Sequence, residues 1–548
     1  MLIRWFGIIV FFATFVCCAL SIVYYDGTSN SLTLIFRYIA LPVGALLLVI
    51  IFIKDKSFTD NFYQNLININ KRFALLYIIF AYFVIIFSLK ALKYYSLNFE
   101  HFDTGLYTHK LYRISVLGIY DGLRIALFEG HFQPVMMFFA WSYSILQSVL
   151  VPFALETIFL SSGAIPVYLL AKRLWQREAH ALMVALIYLL NPMVQFNDIL
   201  GFHPDHLVLP FILWAFYLAE SGRYKLSILA ACFIACCGEP WIPLVAMFGI
   251  FLVIHHRQYI SGGLCFVAMS ILFFSILFLI LPKFNSFDSG IKIISPGSVY
   301  HALISLDLNE IINLEKNYKK IFFICFIFSP FVFSPFFSIS FFLKIVPELM
   351  KTLLSTEMLH YSVDGHYTLG IVAVCFVSYI YFVRNIAEKH SISLYDRLPL
   401  LTLVLSLALS ISNSPLPTSL NFYSYWSGGN FRYSNYTITD RTKSLQKVEN
   451  IIGDNQYLKL EVTNGIFSPK LTMRRERLDF FPSSTWRNSD FIVVDKVKSL
   501  STGSQSHKAA YIDRFNTAHK ELSKVGFKLV FSDDFVEVWG KSSRWITE

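Results

Sequence analysis

The chain has 548 residues, of which 55% are hydrophobic and 15% are charged, and its formal net charge is +10. A soluble core cannot bury so much apolar surface, so this composition excludes an ordinary water-soluble domain and predicts an integral membrane protein. The basic residues lie in short loops between apolar runs rather than on one contiguous face. The positive-inside rule explains that pattern, so no nucleic-acid partner is expected.

Apolar runs of about 17 to 25 residues suit helices that cross a bilayer, whereas an outer-membrane barrel requires short alternating segments. The first two runs, residues 5–24 and 32–53, are predicted to be retained transmembrane helices within an amino-terminal segment, residues 1–72. Only Arg4 precedes the first run, and no small-x-small cleavage pattern occurs before Asp26. A signal peptide is therefore not expected.

The third apolar run, residues 73–89, is followed by the sequence His101-Phe-Asp-Thr-Gly105. This sequence places an imidazole and a carboxylate at the predicted membrane boundary. Ionisable groups at that depth are costly to desolvate and commonly mark functional sites. We therefore predict a site around Asp103.

An apolar segment at residues 134–151 is long enough to be mistaken for a membrane span. If it crossed, the basic cluster formed by Lys172, Arg173 and Arg177 would move to the outer side, against the positive-inside rule. We therefore predict that it is a re-entrant or interfacial helix and that residues 153–170 form the fourth span. The first outer loop then covers residues 91–152.

The remaining apolar runs bring the predicted total to about thirteen transmembrane helices, with the amino terminus in the cytoplasm. The predicted transmembrane core occupies residues 73–412. Its later spans are predicted at residues 179–194, 207–218, 226–237, 241–254, 262–281, 367–383 and 398–411, with two more within 321–347.

The composition becomes polar after a linker rich in proline and aromatic residues, residues 413–433. Residues 434–548 are predicted to form a small extracytoplasmic α/β domain. The predicted fold class is thus an all-α polytopic membrane bundle, with interfacial helices in the first outer loop and this α/β domain at the carboxyl end. Strands are predicted at residues 457–462, 491–495, 528–531 and 535–539, and helices at 442–452 and 508–524.

Polar motifs from distant parts of the sequence fall on the outer face of this topology. An acidic residue at a helix start can also cap free N–H groups. Asp198 and Asp205 are therefore interpreted either as helix caps or as site residues. His206 and His360 are interpreted as interfacial side chains. Asp103 and Glu239 have apolar neighbours, and desolvation there raises a carboxyl pKa and suits a general base. The predicted binding residues are His131, His203, Asp205, Glu239, Lys351, His366 and Tyr367.

No spacing motif predicts a cofactor. A divalent metal held by Asp103, Glu239 and a histidine stays open as an alternative, because carboxylate and imidazole are suitable ligands. An anionic leaving group requires cations on the same face. The candidates are Lys110, Arg113, Arg124, Lys344, Lys351 and the histidines.

The order of the motifs resembles a family of predicted polytopic bacterial and archaeal membrane proteins that share a domain of unknown function. Members of that family resemble, in turn, the GT-C glycosyltransferases. The resemblance covers about residues 73–540. It is carried by Phe102-Asp-Thr-Gly-Leu-Tyr107, Gly130-His-Phe-Gln-Pro134, Ala171-Lys-Arg-Leu174, Gly201-Phe-His-Pro-Asp-His206, Gly238-Glu239, His366-Tyr-Thr368, Phe467-Ser-Pro-Lys470, Phe480-Phe-Pro482 and Asp490-Phe-Ile-Val-Val-Asp495.

The resemblance implies an inner-membrane enzyme that transfers a sugar from a polyprenyl phosphate to a hydroxyl of a glycan, lipid or protein outside the cytoplasm. An acidic residue of the first outer loop serves GT-C enzymes as base or metal ligand, and Asp103 matches that position. Direct displacement implies inversion at the anomeric carbon. The chain departs from the pattern in its two extra amino-terminal spans, in the lack of a carboxylate beside Asp103, and in Pro240, where the family commonly has an acidic residue.

Two other functions stay open at this point. A transporter or lipid flippase predicts ionisable residues near the middle of the bilayer and a repeat that relates two halves, and the sequence shows no such repeat. A non-catalytic envelope assembly protein would use Asp103 as a helix cap. The clustering of polar motifs on one face favours the enzyme.

Overall fold

A computed structural model describes most of the chain from residue 71 onwards. The predicted spans at residues 5–24 and 32–53, and much of 321–347, lie outside the described residues. The described residues are 71–99, 102–280, 323–331, 333–337, 358–361, 365–389, 392–419, 433–453, 455–463, 478–496 and 505–541, with the single residues 320, 346, 348, 349, 352, 422 and 471.

Most of the described chain is helical, and the strands lie near its carboxyl end. The helices are α1 (Lys71–Tyr95), α2 (Phe102–Val116), α3 (Ile119–Phe128), α4 (Met136–Leu146), α5 (Leu150–Ser162), α6 (Ala164–Trp175), α7 (Glu178–Leu190), α8 (Pro192–Leu200), α9 (Val208–Glu220), α10 (Tyr224–Ala235), α11 (Ile242–His256), α12 (Tyr259–Ser275), α13 (Leu369–Lys389), α14 (Ile392–Asn413), α15 (Asp440–Ile452) and α16 (Gln505–Glu521). The strands are β1 (Leu460–Val462), β2 (Leu478–Phe480), β3 (Phe491–Asp495), β4 (Phe527–Ser532) and β5 (Val536–Lys541).

Within the described ranges, five helical segments are long and apolar enough to cross a membrane. A sixth is formed if α7 and α8, which meet at a 46° bend, make one span. The prediction of a mostly helical membrane protein is therefore confirmed. The five spans are Phe73–Tyr95, Leu150–Trp175, Glu239–His256, Tyr259–Ile280 and His366–Ile386.

The ambiguous apolar segment contains α4, which has 11 residues. At 1.5 Å per residue such a helix is about 16 Å long, roughly half the thickness of a hydrocarbon core. Gln147 then adopts the left-handed conformation with φ 48° and ends the helix. The span Leu150–Trp175 follows, so α4 is too short to cross, as the prediction of a re-entrant or interfacial helix requires.

One end of the bundle is defined by contacts of the last turns of α6, α9 and α11 with one another and with α13. The Trp175 indole N–H donates to the Ile380 carbonyl oxygen at 2.8 Å, and Arg173 Nε donates to the Glu220 carbonyl oxygen at 2.7 Å. His256 Nε2 lies 3.3 Å from Glu220 Oε1. We call this side the basic end, because the helix ends and connecting loops there contain Lys172, Arg173, Arg177, Arg223, Lys225 and Arg257.

The carboxyl-terminal region contains a five-stranded sheet in the order β2-β1-β3-β5-β4. β1 pairs in parallel with β2 and β3, whereas β5 is antiparallel to β3 and β4. All five residues of β3 are buried, as expected for a short apolar run at the centre of a sheet. The four predicted strands and both predicted helices overlap observed elements. The three-residue strand β2 was not predicted.

This small domain packs on the opposite end of the bundle from the basic end. Ser96, just after α1, donates to the Asn435 carbonyl oxygen at 2.7 Å, and Thr442 Oγ1 donates to the Ser96 carbonyl oxygen at 2.9 Å. Leu97 belongs to the apolar core of the domain, and Leu106 of α2 packs against the same core. The domain therefore lies beside the start of α2, at what we call the site end.

Candidate functional site

Three predicted site residues meet at the site end. Asp103 is the second residue of α2, His203 precedes the short turn Pro204–Leu207, and His366 begins the turn that leads into α13. One potential ligand atom from each residue lies within 4.8 Å of the other two. Both histidines are buried and Asp103 is partly exposed. The sequence prediction that these distant motifs converge agrees with this geometry.

Gly201 brings the His203 loop against α2. Its φ of +134° and ψ of −172° lie in a region that is essentially restricted to glycine. A Cβ atom at this position would stand 2.0 Å from Thr104 Oγ1. A larger residue would push the loop away from α2, so Gly201 fixes the distance between the Asp103 and His203 backbones.

Pro204 extends the backbone before it, and His203 accordingly has φ −146° and ψ 126°. In this conformation His203 Nδ1 accepts a hydrogen bond from the Asp205 backbone N–H at 3.2 Å. The His203 ring stacks on the His366 ring with centroids 3.9 Å apart and planes 24° apart. The edge of the Tyr107 ring packs on His203 at 4.5 Å. These contacts hold both imidazoles in place.

Asp205 lies beside both imidazoles. Its Oδ1 is 3.8 Å from His203 Nδ1, and its Oδ2 is 3.9 Å from His366 Nε2. Tyr367 is next to this group, with its ring centroid 4.0 Å from that of His366. The Asp205 carboxylate is therefore close to both imidazoles, but these oxygen–nitrogen distances are longer than a hydrogen bond.

Glu239 and His131 form a neighbouring ion pair. His131 Nδ1 lies 2.6 Å from Glu239 Oε1, and the Phe132 backbone N–H donates to Glu239 Oε2 at 2.9 Å. The Glu239 side chain is fully buried, whereas the His131 side chain is 44% exposed. The negative charge of Glu239 raises the pKa of His131 to about 9, so His131 is a cation at neutral pH. Glu239 thus faces His131 rather than Asp103.

Lys110 lies behind this pair. Its ammonium group donates to the Glu129 carbonyl oxygen at 3.0 Å and to Gln133 Oε1 at 3.2 Å. Burial lowers the pKa of Lys110 to about 8. Gln133 Nε2 donates to the Tyr107 hydroxyl oxygen at 3.1 Å. Burial, and then the charges of Asp205 and Asp103, raise the pKa of Tyr107 well above its usual value, so its hydroxyl keeps its proton.

A fully buried ionic network lies directly below the His203 loop, and sequence reasoning missed it. Lys90 Nζ is 2.7 Å from both Glu156 Oε2 and Asp198 Oδ1. Glu156 Oε1 accepts from the His203 backbone N–H at 2.8 Å and lies 2.7 Å from His206 Nδ1. His206 was predicted to be interfacial but is buried in this network. Of the two interpretations of Asp198, the structure does not support the helix cap, because Asp198 lies within α8 and pairs with Lys90. Glu156 within an apolar run was the signal that could have revealed it.

Three further predicted residues, His360, Lys351 and Lys344, fall in two places. His360 lies near the site, with its ring centroid 4.1 Å from that of Tyr367. Lys351 and Lys344 lie outside the described residues. Among the residues that the structure describes, the group with suitable spacing for a metal ion is Asp103, His203 and His366, rather than Asp103 with Glu239.

Comparison with known families supports one step of the resemblance. A family described as predicted membrane proteins (DUF2079) matches residues 93–518 of the chain. No curated protein matches the chain. The matched segment begins within α1 and ends within α16, so it includes the site end and most of the small domain.

Proposed function

The chain belongs to the DUF2079 family of predicted membrane proteins, and we propose that it is a glycosyltransferase of GT-C type. In this proposal a sugar moves from a polyprenyl phosphate to an acceptor hydroxyl. The observation that carries the proposal is the partly exposed carboxylate of Asp103 beside two buried imidazoles. An acceptor hydroxyl can reach Asp103 from outside, while the buried groups fix the geometry.

The charges of the loops support an extracytoplasmic site. The basic end contains the clustered lysines and arginines, and the positive-inside rule assigns it to the cytoplasm. α1 begins with Lys71 and Arg72, and its last residue lies at the site end. α6 has Lys172 and Arg173 in its last turn, at the basic end. The two helices thus run in opposite directions with their basic termini on one side. The proposed topology has about thirteen spans in the plasma membrane, with the amino terminus inside and the small domain outside.

The proposed reaction is a single displacement. Asp103 takes the proton from the acceptor hydroxyl as its oxygen bonds to the anomeric carbon. The bond from that carbon to the phosphate oxygen breaks, and the polyprenyl phosphate leaves with the electron pair, so the configuration inverts. His131, which is partly exposed and cationic at neutral pH, is the proposed partner of the leaving phosphate. A carboxylate base contributes about 10² to 10⁴ to such a rate.

The buried Lys90 network is the observation that favours a transporter as the second candidate, because charges inside a bundle often mark a pathway. The depth of this network below the site end argues against a transporter. Lys90 is five residues before Tyr95, and Glu156 is six residues after Leu150. At 1.5 Å per residue both lie about 7 to 9 Å from the site end, whereas the middle of a 30 Å core is about 15 Å deep. The network therefore supports the site from beneath.

A deletion strain tests the proposal in cells. Mass spectrometry of its lipids, glycans and glycoproteins should show the loss of one sugar modification, and the wild-type gene should restore it. The Asp103→Asn variant should not restore it, whereas Asp121→Asn, an exposed aspartate of α3, should do so. Restoration by Asp103→Asn at equal membrane abundance contradicts the proposal. Lipid accumulation on one leaflet with unchanged glycans would instead identify a flippase.

A further inference from the structure

Asp103, His203 and His366 have the spacing of a candidate metal-ligand set that no sequence motif reveals. The three residues come from separate segments, and one potential ligand atom from each lies within 4.8 Å of the others. A tetrahedral ion with ligands at about 2.1 Å holds neighbouring ligand atoms roughly 3.4 Å apart. Side-chain movements of about an ångström are thus sufficient to close the set around an ion.

The donor chemistry selects the class of metal. Mg²⁺ and Ca²⁺ prefer sites made of oxygen atoms, whereas two imidazoles and one carboxylate suit a first-row transition ion. Zn²⁺ binds such sets in catalytic sites, where three protein ligands leave one position open. Asp103 is the partly exposed member of the set, so an open position on its side faces the outside.

Asp205 provides the outer contact that metal-binding histidines usually have. Its two carboxylate oxygens lie 3.8 Å from His203 Nδ1 and 3.9 Å from His366 Nε2. A carboxylate that accepts a hydrogen bond from a histidine orients the ring and makes its opposite nitrogen a stronger ligand. His203 Nδ1 now accepts from the Asp205 backbone N–H at 3.2 Å, so binding through Nε2 requires a proton on Nδ1 and a closer approach of the Asp205 carboxylate in place of that contact. The ring nitrogens that point away from Asp205 are Nε2 of His203 and Nδ1 of His366, and these are the proposed ligand atoms. Asp205 thus lies on the same side of both rings.

Glu239 is the competing carboxylate, and its contacts argue against it as a ligand. Its Oε1 lies 2.6 Å from His131 Nδ1, and its Oε2 accepts from the Phe132 backbone N–H at 2.9 Å. Metal binding would therefore break a buried ion pair.

We propose that Asp103, His203 and His366 bind one Zn²⁺ ion, with Asp205 orienting the two histidines. The ion would place an acceptor hydroxyl or a phosphate oxygen at its open position. A carboxylate that ligates through one oxygen keeps the other for accepting a proton, so the site is compatible with Asp103 as the base. Zinc binding does not depend on the proposed transfer reaction, and the two can fail separately.

The test is a metal titration of the full-length protein purified in detergent. After treatment with a chelator and its removal, Zn²⁺ is added, and bound metal is measured by elemental analysis and calorimetry. The wild type should bind about one ion per chain. Asp103→Asn, His203→Gln and His366→Gln should each weaken binding by about 100-fold or more, and Asp205→Asn by about 10- to 100-fold.

His131→Gln is the matched control, because it removes an imidazole from the neighbouring pair but not from the proposed ligand set. Its Zn²⁺ affinity should equal that of the wild type. Size-exclusion profiles must show that each variant is monodisperse, and Asp103→Asn, which is isosteric and partly exposed, is the variant least expected to unfold. Wild-type protein that binds no Zn²⁺, unchanged affinity in the Asp103 and His366 variants, or lost affinity in His131→Gln each overturns the proposal.

Discussion

The substitution Gly201→Ala tests how the site is assembled. Gly201 has φ +134° in a region that is essentially restricted to glycine, which costs an alanine about 1 to 3 kcal/mol. The new Cβ would also stand 2.0 Å from Thr104 Oγ1, and such overpacking costs about 1 to 3 kcal/mol more. The sum is about 2 to 6 kcal/mol, together with a displacement of His203 from Asp103.

The assay is the apparent thermal unfolding midpoint of the purified protein, measured at one scan rate and in one detergent. Gly222→Ala is the matched control, because Gly222 has φ +74° but nothing within 4 Å of its Cβ position. It should show the milder cost of a left-handed alanine alone. A double variant that adds Thr104→Ala removes the hydroxyl that the new Cβ would overlap. It should regain the stability lost to that overlap, about 1 to 3 kcal/mol. Equal losses of stability at Gly201 and Gly222, or no recovery by Thr104→Ala, would contradict the predicted overlap between residue 201 and Thr104.

Two further predictions concern charged groups. Lys90→Met leaves the buried Glu156 and Asp198 without their cation and should destabilise the protein by about 3 to 5 kcal/mol, measured as a fall in the thermal midpoint. His131 has a folded pKa of about 9, above its unfolded value of about 6.5, because of Glu239. Its contribution to stability is therefore complete below about pH 6.5 and is lost as the pH rises through about 9.

An exposed lysine and a pH scan provide the controls for the Lys90 and His131 predictions. Lys443→Met removes an exposed lysine paired with Asp440 and should change stability by less than about 1 kcal/mol. A pH scan of the thermal midpoint should show the wild type and His131→Gln differing most at low pH and converging above about pH 9. A Lys90→Met variant as stable as Lys443→Met, or a gap between wild type and His131→Gln that widens at high pH, would contradict the assignments.

The sequence predicted that the loops containing Asp103, His203 and His366 lie on one face, because the distribution of basic residues indicates which loops share a side of the membrane. It could not predict which residues of those loops make contact. The pairing of Glu239 with His131 and the orientation of Asp205 depend on side-chain directions that hydropathy does not contain. The divalent-metal alternative therefore joined Asp103 to Glu239, whereas the structure places Asp103 with two histidines.

The buried network was missed for a related reason. The third apolar run in the sequence ends at residue 89, so hydropathy alone places Lys90 at the membrane boundary rather than inside the bundle. α1 continues to Tyr95, and Lys90 is fully buried against Glu156 and Asp198 from two other helices. A lysine is tolerated there only because its partners are present, and a single sequence does not show which helices are neighbours. In the small domain, strand β2 has three residues, too few for an alternating pattern.

We propose that Asp103 is the base of a sugar transfer at the extracytoplasmic face. The most direct measurement supplies membranes with labelled polyprenyl-phosphate sugars and follows the label into a covalent product. Wild-type membranes and Asp121→Asn membranes should form that product at similar rates. Asp103→Asn membranes should form it at least about 100-fold more slowly at equal protein abundance. Undiminished transfer by Asp103→Asn, or no covalent product in wild-type membranes from any lipid-linked sugar, would contradict the account.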